Sequence, residues 1–392
     1  MSNKKKICAL TTISKTMDWF VVDSMRNLAK NGFDVTLVCD MDEEFIKRNS
    51  DFATCIPVKM SRGIDPIGAI RGVKTFYRIF KENKFDVIQY STPNAALYSS
   101  IAGRLAKIPV RVYGQWGIRY VTFTGVKRFV FKMLEKFTCW GSTHVKAVSF
   151  KNRQFAIDEK LCKDGKISVI GIGGTIGIDL KEFDISKKQD YRKEIRDKYN
   201  IPENDFLFGY VGRLNVDKGI NELVEAFKQI DNAKLMLVGM LDDKYRPSEE
   251  NLKYANESDN VFITGNVPPS EVCKYLAAFD VLVHPTYREG FGKVLQEAMG
   301  MACPIITTDV PGPSEVIEDG ISGMLVEVKN AAALREGMLE LMNNTQKRDS
   351  YAKAGYDRAC KFFERSVMLN NILVDYQNIL NITTEEKETV TL

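Results

Sequence analysis

The chain of 392 residues contains only two histidines, His144 and His284. That scarcity argues against a multi-histidine metal centre and against a proton relay through several imidazoles. Long apolar runs are missing too: no stretch approaches the roughly 18 to 20 uninterrupted apolar residues of a membrane-spanning helix. Lys4, Lys5 and Lys6 lead straight into Ile7 to Thr11, an apolar run too short for a secretory signal and followed by no small-residue cleavage site. The eight cysteines are scattered, with no CxxC pair and mostly apolar neighbours, which predicts buried reduced thiols rather than disulfides or zinc sites. A cytoplasmic protein is expected.

What is present is globular. A composition of 44% apolar and 27% charged residues supports real cores, and the length predicts about two domains. The net charge of +4 hides an asymmetry: residues 1–180 hold 29 Lys and Arg against 16 Asp and Glu, and the remainder holds 26 against 35. The basic first half points toward an anionic partner such as a phospholipid surface, a diphosphate or nucleic acid.

Short β-rich runs alternate with amphipathic helical stretches, the pattern of an α/β fold with parallel sheets covered by helices. Strands are expected near 6–11, 34–39, 86–90, 109–113, 143–148 and 167–170, and helices near 18–30, 66–82 and 93–106. The alternation restarts after Gly171 to Gly177, with strands at 206–211, 234–238, 260–264, 280–284 and 304–307. Two doubly wound, Rossmann-like domains follow, facing a cleft with ligands at the carboxyl ends of the strands. The expected divisions are 1–178, 179–365 and 366–392, the last holding a helix from Glu364 to Leu380 that crosses back to the first domain and a polar, disordered tail at Thr383 to Leu392. The glycines at 171–177 fail the dinucleotide fingerprint, because its sixth position is Ile176, and read instead as an interdomain hinge.

Two segments carry chemistry. The strand Phe206 to Val211 runs into Gly212-Arg213-Leu214, and Lys218-Gly219 follows just before a helix, so a guanidinium and an ammonium at one strand-to-helix turn can clamp a diphosphate. Alone, this segment also reads as surface charge around a turn. The second runs from His284 through Glu289-Gly290-Phe291-Gly292-Lys293-Val294 to Glu297, with a helix opening near Gly292. Main-chain N–H groups at Phe291 to Val294 then face an anion at a positive helix end. Glu289 lies before that helix and Glu297 more than a turn inside it, so the two acids can address different parts of one extended ligand.

The spacing of Glu289 and Glu297 within EGFG…EAM, the YVGRL…KG of Tyr210 to Gly219, and the later Pro313-Ser314-Glu315-Val316-Ile317 with Asp319-Gly320 and Gly323 to Val326 resemble the retaining glycosyltransferases of family 4, which have the GT-B fold. The resemblance covers nearly the whole C-terminal half, in the right order. It implies that Arg213 and Lys218 bind the donor diphosphate, Glu289 the donor sugar and Glu297 the ribose. It further implies that Gly290, Phe291, Gly292, Lys293 and Val294 contact sugar and phosphate, while Asn266 and Val267 border the base. No cofactor and no bound metal are implied; a UDP- or dTDP-sugar is the donor substrate, and the basic pair stabilises the leaving diphosphate.

The N-terminal half matches less closely. Where many relatives carry a Gly-Gly loop and a histidine, this chain reads Thr11-Thr12-Ile13-Ser14 and Tyr113-Gly114-Gln115-Trp116-Gly117. Gln115 or Trp116 is expected in the histidine's place, with Thr12, Ser14 and Arg119 on the acceptor side; Trp116 as core filler is an equal alternative. His144 reads as a structural residue and His284 as the end of a core strand. Stretches such as Met17 to Ala29 and Tyr113 to Val121 are similar to capsular and exopolysaccharide enzymes, some of them rhamnosyltransferases, which suggests L-rhamnose from its dTDP donor.

In 67–84, Arg71, Lys74, Arg78 and Lys81 form a basic stripe beside Ile70, Val73, Phe76, Tyr77 and Phe80. In 126–137, Val126, Phe129, Val130, Met133, Leu134 and Phe137 form an apolar face, with Lys127, Arg128, Lys132 and Lys136 mainly outside it. Each helix equally suits ordinary packing on a sheet. Together they favour peripheral docking on an anionic membrane, at its cytoplasmic face, and a lipid-diphosphate-linked saccharide as acceptor rather than nucleic acid. A sugar-nucleotide epimerase, a nucleic-acid-binding module and an inactive homologue are the alternatives.

Overall fold

The structure, a computed structural model, describes residues 4–60 and 66–381, apart from the side chains of Pro66, Arg119 and Thr122. The chain folds as two units. The first takes the residues up to Ile176 and those from Met368 onward; the second spans Gly177–Val367. The tail expected at Thr383 to Leu392 lies outside the described residues.

In the first unit the strands are β1 (Lys6–Ile13), β2 (Asp34–Asp40), β3 (Ala53–Pro57), β4 (Val87–Tyr90), β5 (Val110–Gln115), β6 (His144–Ala147) and β7 (Ile167–Val169). They form one parallel sheet in the order β3-β2-β1-β4-β5-β6-β7. Ile7, Cys8, Ala9 and Leu10 of β1 are all buried because helices cover both faces of the sheet. On one face Phe76, Phe80, Ala102 and Cys139 pack in from the helices Pro66–Asn83, Pro93–Leu105 and Gly125–Gly141. On the other, Met25 and Leu28 of the helix Val22–Lys30 meet Ile372 and Tyr376 of the final helix, Arg365–Ile379. Two polar contacts fix that return: the Tyr376 hydroxyl donates to Gln89, and Lys146 pairs with Asp375 at 2.5 Å.

The second unit contains β8 (Phe206–Val211), β9 (Ala233–Val238), β10 (Val261–Gly265), β11 (Val281–His284), β12 (Ile305–Thr308) and β13 (Met324–Val326), parallel in the order β10-β9-β8-β11-β12-β13. Arg196, 1% exposed, donates to the carbonyls of Pro202, Glu203 and Asp205 and pairs with Asp280 at 2.8 Å. Those partners satisfy a charge that would otherwise be costly to bury, and they tie the helix Lys188–Lys198 to the start of β11.

Three elements depart from the sequence expectation. β3 and β13 are short edge strands, partly exposed or only three residues long, so neither shows the alternation or apolar run that marks a strand. The stretch expected as one helix over 18–30 is two, Ser14–Phe20 and Val22–Lys30, broken at Val21 with φ −132° and ψ −41°. All eight cysteines are free thiols, five of them buried.

The strand order reverses beside the first strand of each sheet. β1 lies between β2 and β4, and β8 between β9 and β11. The carboxyl ends of such neighbours open a crevice, because the connections leave them in opposite directions. In the first unit that crevice is marked by Thr12 and Thr92, whose hydroxyls lie 2.8 Å apart. In the second it falls between Val211 and His284.

Candidate active site

The basic loop after β8 and the acid-glycine loop after β11 meet at the second unit's switch point. Close backbone approach makes this possible. Gly219, at φ +70°, sits so near the loop after β11 that a Cβ there would lie 2.0 Å from the Pro285 carbonyl oxygen. Gly239, at φ +147°, lies against the Gly212 carbonyl, where a Cβ would come within 1.8 Å. Only glycine tolerates both the conformation and the contact.

Hydrogen bonds fix the two loops to each other. The Tyr287 N–H donates to the Asp217 carbonyl at 2.8 Å, and the Arg288 guanidinium grips the Asp217 carboxylate at 2.7 and 3.1 Å. Asn215, buried, accepts from the Lys218 N–H at 3.0 Å and donates to Asp242 at 3.1 Å. Asp242 also holds Arg213 at 3.2 Å, so the guanidinium is anchored at one edge while most of its surface stays in solvent. Asp242 keeps its carboxyl below the usual range, chiefly through the Asn215 hydrogen bond.

Lys218 reaches across to Glu289 in a short ion pair, both side chains largely enclosed. The other Glu289 oxygen accepts from the Gly290 N–H at 3.3 Å. His284 Nε2 lies 3.7 Å from Glu289, a long polar contact rather than a full hydrogen bond. Burial by itself raises the Glu289 pKa, but His284 and Lys218 together outweigh it and hold the carboxyl well below the usual carboxylate range. Burial lowers the His284 pKa, more than Glu289 raises it, which leaves a neutral imidazole at neutral pH. That ring stacks on buried Tyr210 at 5.5 Å, and the Tyr210 hydroxyl donates to the Arg213 carbonyl at 2.9 Å. His284 therefore ends a core strand and also flanks the acid.

The helix Lys293–Gly300 starts at Gly292, φ +89°, with no side-chain cap, so its first N–H groups are open to an anion. Phe291 is buried, its ring packed edge-on against Phe363 at 5.8 Å, which anchors the loop just before the helix. Glu297, mostly buried, pairs with the more exposed Lys293 at 2.9 Å one turn away. The main chain of Glu289 and Gly290 is buttressed by Gly312, φ +95°, where a Cβ would lie 2.9 Å from the Gly290 carbonyl. Asn266 and Val267 follow β10 beside Gly265, which bridges to Gly239 on the same rim. Among the described residues, no group of three His, Cys, Asp or Glu could hold a metal ion.

The acceptor-side candidates lie on the first unit. Thr12 is locked to Thr92 through its N–H at 3.0 Å as well as its hydroxyl, and Ser14 opens the helix Ser14–Phe20. Gln115 is wholly buried: its amide donates to Glu135 at 2.7 Å, beside Tyr113 at 2.9 Å, and its own oxygen has no partner. Trp116 packs on Phe20 at 5.3 Å and lines a small cavity with Lys146, Asp375 and Tyr376. The Arg119 side chain lies outside the described ones. His144 is half-buried, its Nδ1 3.0 Å from the Thr143 hydroxyl.

Sequence reasoning missed His284, Tyr210, Asp217, Asp242 and Gly312 as parts of this constellation. Each has a partner on another strand or loop, as in the stacking of His284 on Tyr210, and no local motif encodes that pairing.

Two doubly wound parallel sheets in one chain, the second with this site at its switch point, define the GT-B class of fold. The family described as glycosyl transferases group 1 matches residues 191–358, and the glycosyl transferase 4-like family matches residues 6–149. The capsular polysaccharide biosynthesis glycosyltransferase CapM of Staphylococcus aureus is 30% identical over 381 residues, covering 96% of this chain and 98% of the relative. The UDP-Gal:alpha-D-GlcNAc-diphosphoundecaprenol alpha-1,3-galactosyltransferase of Escherichia coli is 26% identical over 320 residues, 77% of this chain and 78% of that one. A glycosyltransferase structure from Rickettsia africae superposes with a TM-score of 0.77 at 20% identity, over 97% of this chain and all of the other. The chain belongs to the group 1 glycosyltransferases.

Gly219→Ala is expected to lower stability by about 2–4 kcal/mol, since it adds left-handed strain to a clash with Pro285. Thermal unfolding of the variant checks this, and an unchanged melting temperature would show that the two loops are not pressed together.

Proposed function

We propose that this glycosyltransferase moves a sugar, with retention, from a UDP- or dTDP-sugar to a saccharide on a lipid diphosphate, as in assembly of a capsule or exopolysaccharide. The observation that carries the donor half is the meeting of Lys218 and Glu289 beside the uncapped helix start at Gly292. Lys218 and Arg213 face the diphosphate, while the N–H groups from Phe291 to Val294 receive phosphate and sugar oxygens. Glu289 accepts from the sugar hydroxyls and Glu297 from the ribose, with Asn266 and Val267 at the base.

The sugar C1–O bond to the β-phosphate breaks as the acceptor oxygen bonds to C1 on the same face. The acceptor's hydroxyl proton passes to the departing phosphate oxygen. Charge builds on the diphosphate, and two fixed cations stabilise it without a bound metal. Neutral His284 suits this scheme, because among the described residues it leaves Lys218 as the one cation paired with the ionised Glu289. Thr12, Ser14, Gln115, Trp116 and Arg119 belong to the acceptor side, with the Gln115 amide already held by Glu135. The E. coli relative, named for a diphosphoundecaprenol acceptor, supports the lipid-linked class. Family membership favours transfer over the epimerase, nucleic-acid-binding and inactive alternatives.

The membrane reading rests on the outer face of one helix. Gly125–Gly141 turns the carboxyl of Glu135 inward, to Gln115 and Tyr113, and presents Val126, Phe129, Phe137 and Trp140 outward at 79, 65, 52 and 55% exposure. Lys127 and Lys136 are exposed beside them, whereas Arg128 and Lys132 are engaged by Glu159 at 3.1 and 2.6 Å. No described helix is long and apolar enough to cross a membrane, and this face suits lying on one.

Glu289→Ala should lower transfer by about a hundredfold or more while nucleoside-diphosphate affinity stays within about threefold. The assay follows label from UDP-glucose, UDP-galactose or dTDP-L-rhamnose onto undecaprenyl-diphosphate-linked N-acetylglucosamine; wild-type activity in the variant would refute the assignment. In flotation, phosphatidylglycerol vesicles should retain the wild type about fivefold better than Phe129→Ser combined with Trp140→Ser. Equal retention of the two proteins would leave the outward aromatics without a membrane role.

A further inference from the structure

A second apolar feature of the first unit lies apart from the donor site. The helices Pro66–Asn83 and Pro93–Leu105 run side by side in the same direction, and between them opens a groove of about 620 Å³. Its walls are Ile70, Val73 and Tyr77 on one side and Leu97, Ile101 and Leu105 on the other. Ile70 and Leu105 are 73% and 59% exposed, which is unusual for branched apolar side chains flanking a depression. The floor is closed by Tyr98, whose ring lies so tightly on Gly72 that a Cβ there would meet it at 2.7 Å. The helices therefore touch at the floor and diverge at the surface.

Topology orients the groove. Each helix starts from the carboxyl end of a strand: one follows β3, and the other begins right after β4, next to the Thr12–Thr92 contact. Ile70 and Leu97 therefore sit toward the end of the sheet where ligands bind, and Tyr77 and Leu105 toward the opposite end. From Leu97 to Leu105 the helix advances about 12 Å, enough for a slot that takes the start of a long hydrocarbon chain. Lys74 lines the groove, and Arg71, Arg78 and Lys81 continue the same helix as exposed cations. An apolar slot edged by cations and leading away from the acceptor end matches an amphiphile with an anionic head and an apolar tail.

We infer that this groove binds the first isoprene units of the acceptor's lipid chain, with the diphosphate held at the basic edge. The inference rests on the lipid-linked acceptor proposed above and adds the site that recognises the lipid. It separates recognition of one lipid from adhesion to the bilayer, which falls to the outward aromatics of Gly125–Gly141.

The test uses the full chain and a benzophenone-bearing farnesyl diphosphate, photocrosslinked in non-ionic detergent and mapped by mass spectrometry. Adducts are expected on residues 66–83 and 93–105, reduced about fivefold or more by undecaprenyl phosphate and by Ile101→Glu, which places a charge in the slot. Ile101→Trp, which fills the slot without a charge, should act alike, and UDP binding by both variants should match wild type. Equal competition by phosphatidylglycerol would overturn the inference in favour of a generic lipid contact. Loss of labelling as the protein associates on concentration would overturn it in favour of a second copy of the chain. If undecaprenyl phosphate blocks labelling that maps elsewhere, the groove is refuted while the lipid-linked acceptor stands; if it blocks nothing, both fall.

Discussion

Lys218 and Glu289 lie 71 residues apart in sequence and meet in an ion pair that is largely withdrawn from water. Around this contact the second unit is organised. The pair needs the β8 and β11 loops in close apposition, and the glycines at 219, 239 and 312 let the main chains approach without side chains between them. It also needs its charges balanced, which neutral His284 permits and a protonated imidazole would disturb. A lysine held by a carboxylate stays oriented, and the ionised carboxylate stays an acceptor for hydroxyl groups. Two opposite charges fixed at a helix start are suited to a ligand that carries an anionic diphosphate next to a polyhydroxylated sugar.

The grouping of the second unit's candidate site into two loops was legible in the sequence because it is written in local spacing. Glu289, Gly290, Gly292 and Glu297 belong to one turn and one helix, and Arg213, Lys218 and Gly219 to one loop. What local spacing could not reveal is which residue of one loop faces which residue of the other. His284 reads as the end of an apolar strand, and only its stacking on Tyr210 and its distance to Glu289 show a second role. β3 and β13 escaped for a different reason: β3 is a partly exposed edge strand and β13 only three residues long, so their sequences carry little pattern.

The first unit illustrates a limit of amphipathic reading. Periodicity finds an apolar face on 126–137 but does not say which way it points. Packing decides, and it places Glu135 inside with Gln115 and Tyr113 and leaves Phe129 and Phe137 in solvent. The same network occupies Gln115, which the sequence suggested for the acceptor side, and leaves Trp116 as the residue of that pair that lines a cavity.

The account turns on whether the second unit grips a nucleoside diphosphate through Lys218. Calorimetric titration of UDP, dTDP, GDP and ADP, with a chelator present, against wild type and Lys218→Ala addresses this directly. One diphosphate should bind selectively to wild type, and Lys218→Ala should weaken it by about tenfold or more, the expected loss of one charge-assisted contact. Equal binding by both proteins, or no binding of any diphosphate to the wild type, would contradict the central claim.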